Sequence, residues 1–182
     1  MSGTGYILFI SEEMLKDSTA IQGNVDVEYL LPYVRVAQKK YLETKLGSQL
    51  FVQIGDLIKN GTVNDVGNEH FKLLLDDYIA DMLVHWAFFE CIPFLRYKIA
   101  NGNIYAKTSE TGNSLGRDEA QDLREEVRNT AEFYTNRLVD YLCCKGSVYP
   151  KYGQSDSCDI SPDTNSFYNG MNLEKPNNCS NC

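Results

Sequence analysis

Asp77, Asp81 and His85 are the residues of this chain whose types and spacing could bind a metal ion. They stand at i, i+4 and i+8, and a helix places residues four apart on one face. Carboxylates and an imidazole on one stripe can bind a metal, as inward-facing side chains of helical bundles do. The Glu-x-x-His spacing of di-iron bundles is missing, however, and the only other histidine, His70, lies about four turns away. A solvated or inter-subunit polar stripe is therefore favoured, and a metal-dependent helical-bundle enzyme is the alternative.

Cysteines near the end of the chain offer a second possible metal site. Cys179–Cys182 is a C-x-x-C motif, and either Cys158 or the adjacent Cys143 and Cys144 could complete four thiolates for zinc. Structural zinc sites usually offer two close pairs with a loop between them, whereas these pairs are about 35 residues apart. A redox C-x-x-C motif needs a helix N-terminus, and none is predicted here. An unpaired polar tail is favoured, with a zinc-tailed adaptor protein as a further alternative.

Motifs for phosphate chemistry are missing from the sequence, which contains no Walker-type glycine loop and no G-x-G-x-x-G. Residues 112–116, GNSLG, match G-x-S-x-G, but they lie in a polar segment that we expect to be an exposed loop, and with two histidines in the whole chain triad arrangements are scarce. Arg35, Lys39 and Lys40 form a small basic patch, which is usually a solvated face in which Glu43 pairs with a lysine. The patch could instead meet a phosphate or an acidic neighbour. We therefore expect no enzyme activity, no catalytic residue, no metal and no cofactor.

Composition restricts the classes of partner. The net charge of −8 argues against a protein that reads nucleic-acid sequence, which would carry a basic face. The charge does not exclude a protein that forms the wall of a channel for DNA, because attraction to that wall would slow the sliding of DNA.

The first ten residues lack the basic region of a signal peptide. The most apolar stretch, Ile79–Leu95, is interrupted by Asp81, His85 and Glu90, which favours a buried helix over a membrane span. We expect a soluble protein made in the cytoplasm, with no membrane partner.

Apolar residues that recur at steps of three and four predict helices that would position these side chains. The helices are a short one capped by Ser11, a long one from Asn24 (or Leu31, because of Pro32) to Leu46, Gln49–Lys59, a wide apolar one from Asn68 to Ile92 that includes Trp86, and Asp118–Cys143. Alternation around Asn101-Gly102 predicts a β-hairpin at about 97–107. The predicted fold is mainly α, a helical bundle of four to five helices with one β-hairpin and an extended C-terminal tail.

The tail, residues 146–182, has too few aliphatic residues to build a core. We divide the chain into a helical body, 1–145, and a tail that is extended or disordered alone and becomes ordered on assembly. Deleting the tail should then leave the melting temperature of the body nearly unchanged. Four aromatic residues are the candidate partner-binding positions: Tyr149, Tyr152, Phe167 and Tyr168. A sticky disordered terminus is the alternative.

The helix within Asn24–Gly47 also carries a resemblance to a known family. Ala37-Gln38 is followed by Tyr41-Leu42 and then by Leu46-Gly47, and a short capped segment from Ile10 to Lys16 lies upstream. This arrangement resembles the head–tail connector (adaptor) proteins of tailed bacteriophages, in particular the ring proteins under the portal in crAss-like phages. The resemblance covers roughly residues 7–142, and it rests on the pattern of residues and on the order of the helices.

The resemblance implies a structural virion protein at the portal vertex, assembled in the cytoplasm of the bacterial host. Connector proteins of this kind form a ring, usually dodecameric, that docks on the portal protein. The ring extends the DNA channel and is a platform for the next ring or tail protein. Genomic DNA would pass through the lumen without sequence-specific binding.

Overall fold

The computed structural model describes residues 6–21, 25, 27–95, 97–100, 103–106, 117–154 and 159–164. Its elements, in chain order, are α1 (Glu12–Asp17), α2 (27–46), α3 (Ser48–Asn60), α4 (Glu69–Leu95), β1 (Tyr97–Ala100), β2 (Asn103–Ala106) and α5 (Arg117–Cys144). The described part of the chain is mainly helical, so the predicted mainly-α class is confirmed.

Helices α2 and α4 each contain one π-helical segment between two α-helical parts. In α2 the parts are Val27–Ala37, the π segment Gln38–Leu42 and Glu43–Leu46. In α4 they are Glu69–Leu74, the π segment Leu75–Ile79 and Ala80–Leu95. Single π turns inside α-helices are frequent at functional sites, because they turn the side chains that follow relative to those that precede.

Pro32 lies inside α2 and does not mark its start. Proline has no backbone N–H to donate to the carbonyl four residues earlier, and water can take that place where the helix surface is exposed, as it is at Pro32. The helix therefore begins about one turn before the later of the two predicted starts.

Helix α4 is the central element, because α2 and α5 both pack against its last part, Ala80–Leu95. Side chains in this part are buried at successive positions, which lie about 100° apart around a helix. The buried positions are Ala80, Met82, Leu83, Val84, Trp86, Ala87, Phe88, Cys91 and Ile92. The predicted wide apolar helix is confirmed, and in the described chain it takes the central place of the bundle.

By length and composition alone, α4 could also cross a membrane. Its most apolar window has a mean hydropathy of 1.3, and 56% of that window is buried inside the structure. The core helix of a globular protein has the same length and hydropathy. Because α4 packs between two other helices, it is the core helix of this bundle.

The strands β1 and β2 pair antiparallel, with Tyr97 opposite Ala106 and Ile99 opposite Ile104. They follow directly on α4 and lie within the segment 97–107. Asn101 and Gly102, on which the turn prediction depends, lie outside the described residues.

The described part of the tail does not stay apart from the body, which corrects the prediction. The side chain of Tyr149 is completely buried in the core, and residues 159–164 run along the corner between α2 and α3. The segment cannot form a core of its own, but a single aromatic ring can fill a site that the helices provide. Some residues after the predicted boundary at residue 145 therefore pack on the helical body.

Candidate functional site

Two residues of the predicted stripe Asp77, Asp81 and His85 contact α5, and Asp77 is exposed. Asp81 lies 3.6 Å from a guanidinium nitrogen of Arg137, and the His85 ring stacks on Tyr134 with centroids 5.2 Å apart. Burial lowers the pKa of His85, which the nearby Asp81 carboxylate opposes. Within the described ranges, no group of three or more His, Cys, Asp or Glu side chains could hold a metal ion. The stripe is used for contacts between helices.

The cysteines do not form the set of thiolates that a zinc site would need from the described chain. Cys91 is buried in the core, as predicted, and Cys143 is disulfide-bonded. A disulfide sulfur is not a thiolate, so Cys143 is unavailable to zinc in this form. Cys144 is exposed on α5. The remaining cysteines of the proposed zinc site, Cys158, Cys179 and Cys182, lie outside the described residues.

The predicted basic patch on α2 is exposed. Lys39 pairs with Glu43 at 2.9 Å, which confirms the predicted pair, and the Arg35 guanidinium lies 4.1 Å from the ring centre of Tyr6. Lys40 pairs with Glu90 of α4 at 2.7 Å. Such exposed ion pairs stabilise a fold by about 1 kcal/mol or less. The patch is therefore a solvated surface that remains accessible to an acidic partner.

Tyr41 and Glu90 connect this surface to the core. The Tyr41 hydroxyl donates to Glu90 Oε1 at 2.6 Å, and its ring stacks on Trp86 with centroids 3.7 Å apart. Burial and the bond to Glu90 raise the pKa of Tyr41. Burial would raise the pKa of Glu90, but the bonds from Lys40 and Tyr41 outweigh it and lower the pKa. The carboxylate therefore stays charged and fixes α2 against α4.

Gln38, the first residue of the π segment in α2, holds the N-terminal segment on the body. Its Oε1 accepts from the backbone N–H of Phe9 at 3.1 Å, and its Nε2 donates to the carbonyl of Ile7 at 3.0 Å. The side-chain amide thus pairs with two backbone groups of an extended segment, as a neighbouring strand would. The ring of Phe9 then stacks on Phe51 of α3 at 4.9 Å. Gln38 is itself buried.

We expect Gln38→Leu to lower the free energy of unfolding by about 1–3 kcal/mol, because it keeps the volume but leaves two backbone groups without partners. Urea denaturation followed by circular dichroism measures this effect. Gln121→Leu is the matched control, since Gln121 is exposed on α5 and bonds only with the neighbouring Glu125 among its described contacts. Equal stability of the two variants would contradict the role assigned to Gln38.

Residues 159–163, here called the strap, close over the corner between α2 and α3. Lys45 is almost completely buried, and its Nζ lies 2.9 Å from Asp163 Oδ2. The Asp163 N–H donates to the Thr44 carbonyl at 2.8 Å, and the Ser48 N–H donates to the Ile160 carbonyl at 3.0 Å. The strap therefore satisfies backbone groups at the end of α2 and at the start of α3.

Gly47 allows the strap to come this close. Its φ is +74°, and a Cβ added there would lie 2.9 Å from two ring carbons of Pro162. Only glycine combines that backbone conformation with the absence of a side chain. The same residue was predicted from the sequence to end α2, and the structure gives it this second role.

The predicted partner-binding residues divide into two groups. Tyr149 is completely buried, donates to the His70 carbonyl at 2.7 Å and lies 3.2 Å from the Tyr141 hydroxyl. Tyr152 is partly buried, and its hydroxyl has no partner in the described part of the chain. The Tyr149 ring is therefore not available to a partner without partial unfolding, whereas the Tyr152 ring is only partly covered by the body. Phe167 and Tyr168 lie outside the described residues, so their role stays a prediction.

Tyr149 should make stability depend on pH in the alkaline range. Burial, and then the contact with Tyr141, raise the pKa of Tyr149 above 10.0. The folded chain therefore retains a proton that the unfolded chain loses, and the free energy of unfolding falls as the pH rises above that value. We expect Tyr149→Phe to lower the free energy of unfolding by about 1 kcal/mol at neutral pH. The free energy of unfolding of this variant should also fall less steeply with rising pH than that of the wild-type protein.

Urea titrations between pH 7 and pH 11 test this expectation. Burial and the nearby Asp163 raise the pKa of Tyr152 to about 12 in both proteins, so only the difference between their slopes reports on Tyr149. Parallel slopes would show that the Tyr149 phenol is not buried in the folded protein.

A groove of about 520 Å³ lies between the first half of α4 and the second half of α5. The rings of Tyr78 and Tyr141 stack there at 4.1 Å, and Arg137 lies over the Tyr78 ring at 4.8 Å. Phe133 stands at the edge with 64% of its surface exposed. Exposed apolar area next to a concave, partly aromatic surface is typical of a protein-binding site. This groove is the strongest candidate site in the described chain.

A family model matches residues 38–162 of the chain, which is more than half of its length. The model describes a family of unknown function, DUF6712. The chain belongs to the DUF6712 family. No curated protein and no solved structure matches it significantly.

The DUF6712 region begins at Gln38 and ends at Pro162. It therefore includes the buried Tyr149 and most of the strap, together with α3, α4 and α5. Helices α3, α4 and α5 and Tyr149 contribute to one hydrophobic core, which also includes residues before Gln38. The DUF6712 unit thus extends beyond the predicted body boundary at residue 145.

The sequence analysis missed two long-range contacts, one within this unit and one that joins the unit to the N-terminal segment. Lys45 has no sequence feature that indicates burial, and its partner Asp163 is 118 residues away. The two bonds of Gln38 reach 29 and 31 residues back. A π segment that starts at a buried glutamine has no local sequence signal, although the position of Gln38 in the connector-like pattern did draw attention to it.

Proposed function

We propose that this DUF6712 protein is a structural virion protein, a head-to-tail connector (adaptor) that forms a ring under the portal of a tailed bacteriophage. The observation that carries the proposal is the sequence of α2, in which Ala37-Gln38 precedes Tyr41-Leu42 and Leu46-Gly47. Three of these residues have defined structural roles. Gln38 holds the N-terminal segment, Tyr41 joins α2 to Glu90, and Gly47 accepts the strap.

The ring would dock on the portal protein, extend the DNA channel and offer a platform to the next ring or tail protein. By analogy with connectors, it would be dodecameric and would lie at the head–tail interface of the virion. The finer architecture of each subunit is a bundle of four to five helices with one β-hairpin. Tail residues beyond the strap, among them Phe167 and Tyr168, would become ordered against the portal or a neighbouring ring.

Two features of the described surface support an assembly role. Apolar side chains are exposed on separate elements, including Val36 on α2 and Phe133 on α5. The groove beside Phe133 contains aromatic rings, and no described metal-ligand cluster accompanies it. Such a surface is suited to binding another protein.

Double-stranded DNA should bind weakly, because a channel wall must let DNA slide. The net charge is −8, and the exposed side of α5 begins with Asp118, Glu119 and Asp122. We expect a dissociation constant of roughly 1 μM or weaker at physiological salt, measured by fluorescence anisotropy with a labelled duplex. Submicromolar binding to bare duplex would contradict the channel role.

Electron microscopy of the purified protein, alone and mixed with its cognate portal protein, tests the proposal directly. We expect rings with a central opening, either free or seated on the portal. Single subunits in both samples, with no density added to the portal, would overturn the connector function.

A further inference from the structure

The groove between α4 and α5 presents aromatic rings that the described chain leaves partly uncovered. Phe133 is 64% exposed, and the stacked rings of Tyr78 and Tyr141 are partly exposed beside it. Arg137, the basic residue of the groove, is already engaged, because it lies over the Tyr78 ring and 3.6 Å from Asp81. Charge therefore gives an occupant little to recognise, and an apolar, nearly neutral segment fits the groove best.

Residues 165–182, here called the end segment, have this composition. Their apolar side chains are spaced through Asn, Ser and Gly, and the charged side chains are one acid and one base at the adjacent positions Glu174 and Lys175. The large apolar residues are Phe167, Tyr168, Met171 and Leu173. Such a segment cannot form a core alone, so its apolar side chains can be buried only on a surface that another part of the protein provides.

The strap brings the start of the end segment towards the groove. Burial and the nearby Asp163 carboxylate raise the pKa of Tyr152 to about 12, so the strap ends near that ring. The Tyr152 N–H donates to the Tyr149 carbonyl at 2.8 Å, and the Tyr149 hydroxyl lies 3.2 Å from the hydroxyl of Tyr141, which lines the groove. Two tyrosines in contact therefore connect the strap to the groove. The end segment can extend to about 60 Å, far more than two such side chains span.

A disulfide also fastens the tail to α5 beside the groove. Cys143 is disulfide-bonded, whereas Cys91 and Cys144 carry thiols. The chain has six cysteines, so the partner of Cys143 is one of the three in the tail: Cys158, Cys179 and Cys182. Cys144, the next residue, lines the groove. Because a disulfide holds the two Cα atoms within about 7 Å, each of these partners would keep a tail residue close to the groove.

We propose that the end segment docks in the α4–α5 groove of its own subunit, with its apolar side chains against Phe133 and Tyr78. Because the segment is tethered, its effective concentration at the groove is on the order of 1 mM. A segment that binds with a Kd of roughly 0.1 mM would then be bound about tenfold more often than free. A tenfold preference corresponds to about 1.4 kcal/mol, so removing the segment has a small effect beside the loss of Tyr149 and the strap.

The contact forms within one subunit, so it does not depend on the connector function. It gives the end segment a place on the free subunit. In the proposed ring, the segment would leave the groove to bind the portal or a neighbouring ring, and Phe133 would then become accessible to another protein.

Hydroxyl-radical footprinting of the full chain, with the oxidised residues identified by mass spectrometry, tests the contact. Phe133 should be oxidised about threefold faster or more in a variant that lacks the apolar side chains of the end segment, because its ring is then uncovered. That variant carries Phe167→Ser, Tyr168→Ser, Met171→Ser and Leu173→Ser. Phe94, which is 51% exposed on α4 outside the groove, is the internal reference in every sample. The matched control, in which Phe133 should keep its wild-type rate, carries Asn165→Ser, Asn169→Ser, Asn172→Ser and Asn177→Ser.

The reciprocal measurement changes the groove and follows the segment. In Phe133→Ser, the rings of Phe167 and Tyr168 should be oxidised about threefold faster than in the wild-type protein. Val52→Ser is the matched control, because Val52 is 56% exposed on α3, outside the groove. Both replaced side chains are exposed, so both variants should fold, which circular dichroism verifies.

Dilution distinguishes a contact within one subunit from a contact between copies. Protection of Phe133 within one subunit is the same at about 1 μM and at about 50 μM protein, whereas protection by another copy falls on dilution. Two results would overturn the proposal: equal oxidation of Phe133 in the wild-type protein and in the variant without apolar side chains, or protection that falls on dilution. Electron microscopy with the portal judges the connector function separately, so either result would leave that function standing.

Discussion

Replacing Trp86 by alanine should lower the free energy of unfolding by about 3–5 kcal/mol, which is the usual cost of removing a buried tryptophan. The indole is 3% exposed, stacks on Tyr41 at 3.7 Å and donates from Nε1 to Thr135 Oγ1 at 2.8 Å. One side chain therefore joins α4 to α2 on one flank and to α5 on the other. Its loss would leave a cavity in the centre of the bundle and would remove the donor to Thr135 Oγ1, whose own bond to the Ala131 carbonyl would remain.

Thermal melting followed by circular dichroism measures this effect, and the expected decrease in Tm is roughly 6–20 °C for a chain of this length. Phe94→Ala is the control on the same helix, because Phe94 is 51% exposed and stacks only at the edge of the bundle on Tyr33. The control should change stability by about 1 kcal/mol or less. A Trp86→Ala protein as stable as the control would show that α4 is not the central helix.

A chain that ends at residue 145 should lose stability, whereas a chain that ends at residue 164 should keep it. The shorter chain loses Tyr149, and removing a buried aromatic ring alone costs about 3–5 kcal/mol. It also loses the strap, so the last turn of α2 loses its bond to Asp163 and the first turn of α3 loses its bond to Ile160. The Lys45 ammonium would regain water when the strap is absent, and we therefore add no further cost for its charge.

Urea denaturation of the two truncated chains beside the full chain measures the difference. The longer truncation retains the described tail residues, 146–154 and 159–164, which include Tyr149 and the strap, and it removes Phe167 and Tyr168. It therefore separates the stability of the subunit from the predicted binding of the portal or a neighbouring ring by these residues. Equal stability of the two truncations would restore the boundary at residue 145.

The sequence alone could predict the parts of this fold that depend on neighbouring residues. Steps of three and four in the apolar pattern located the long helices, and the wide stripe around Trp86 identified the central one. Helical spacing also predicted that Glu43 pairs with Lys39 or Lys40, and the structure selects Lys39. Each of these features is decided within a few turns of one helix, where side-chain direction follows from position in the chain.

The tertiary structure decided which parts of the chain meet at long range. It placed Tyr149 in the core although its own segment has few aliphatic residues, since the helices supply the apolar site. It buried Lys45 against Asp163, and it gave Gln38 two backbone partners in the N-terminal segment. It also brought Phe133 and Tyr78 together at one groove. A sequence pattern reports which face of an element is apolar, but the partner of that face depends on how the elements pack, and no local signal encodes it.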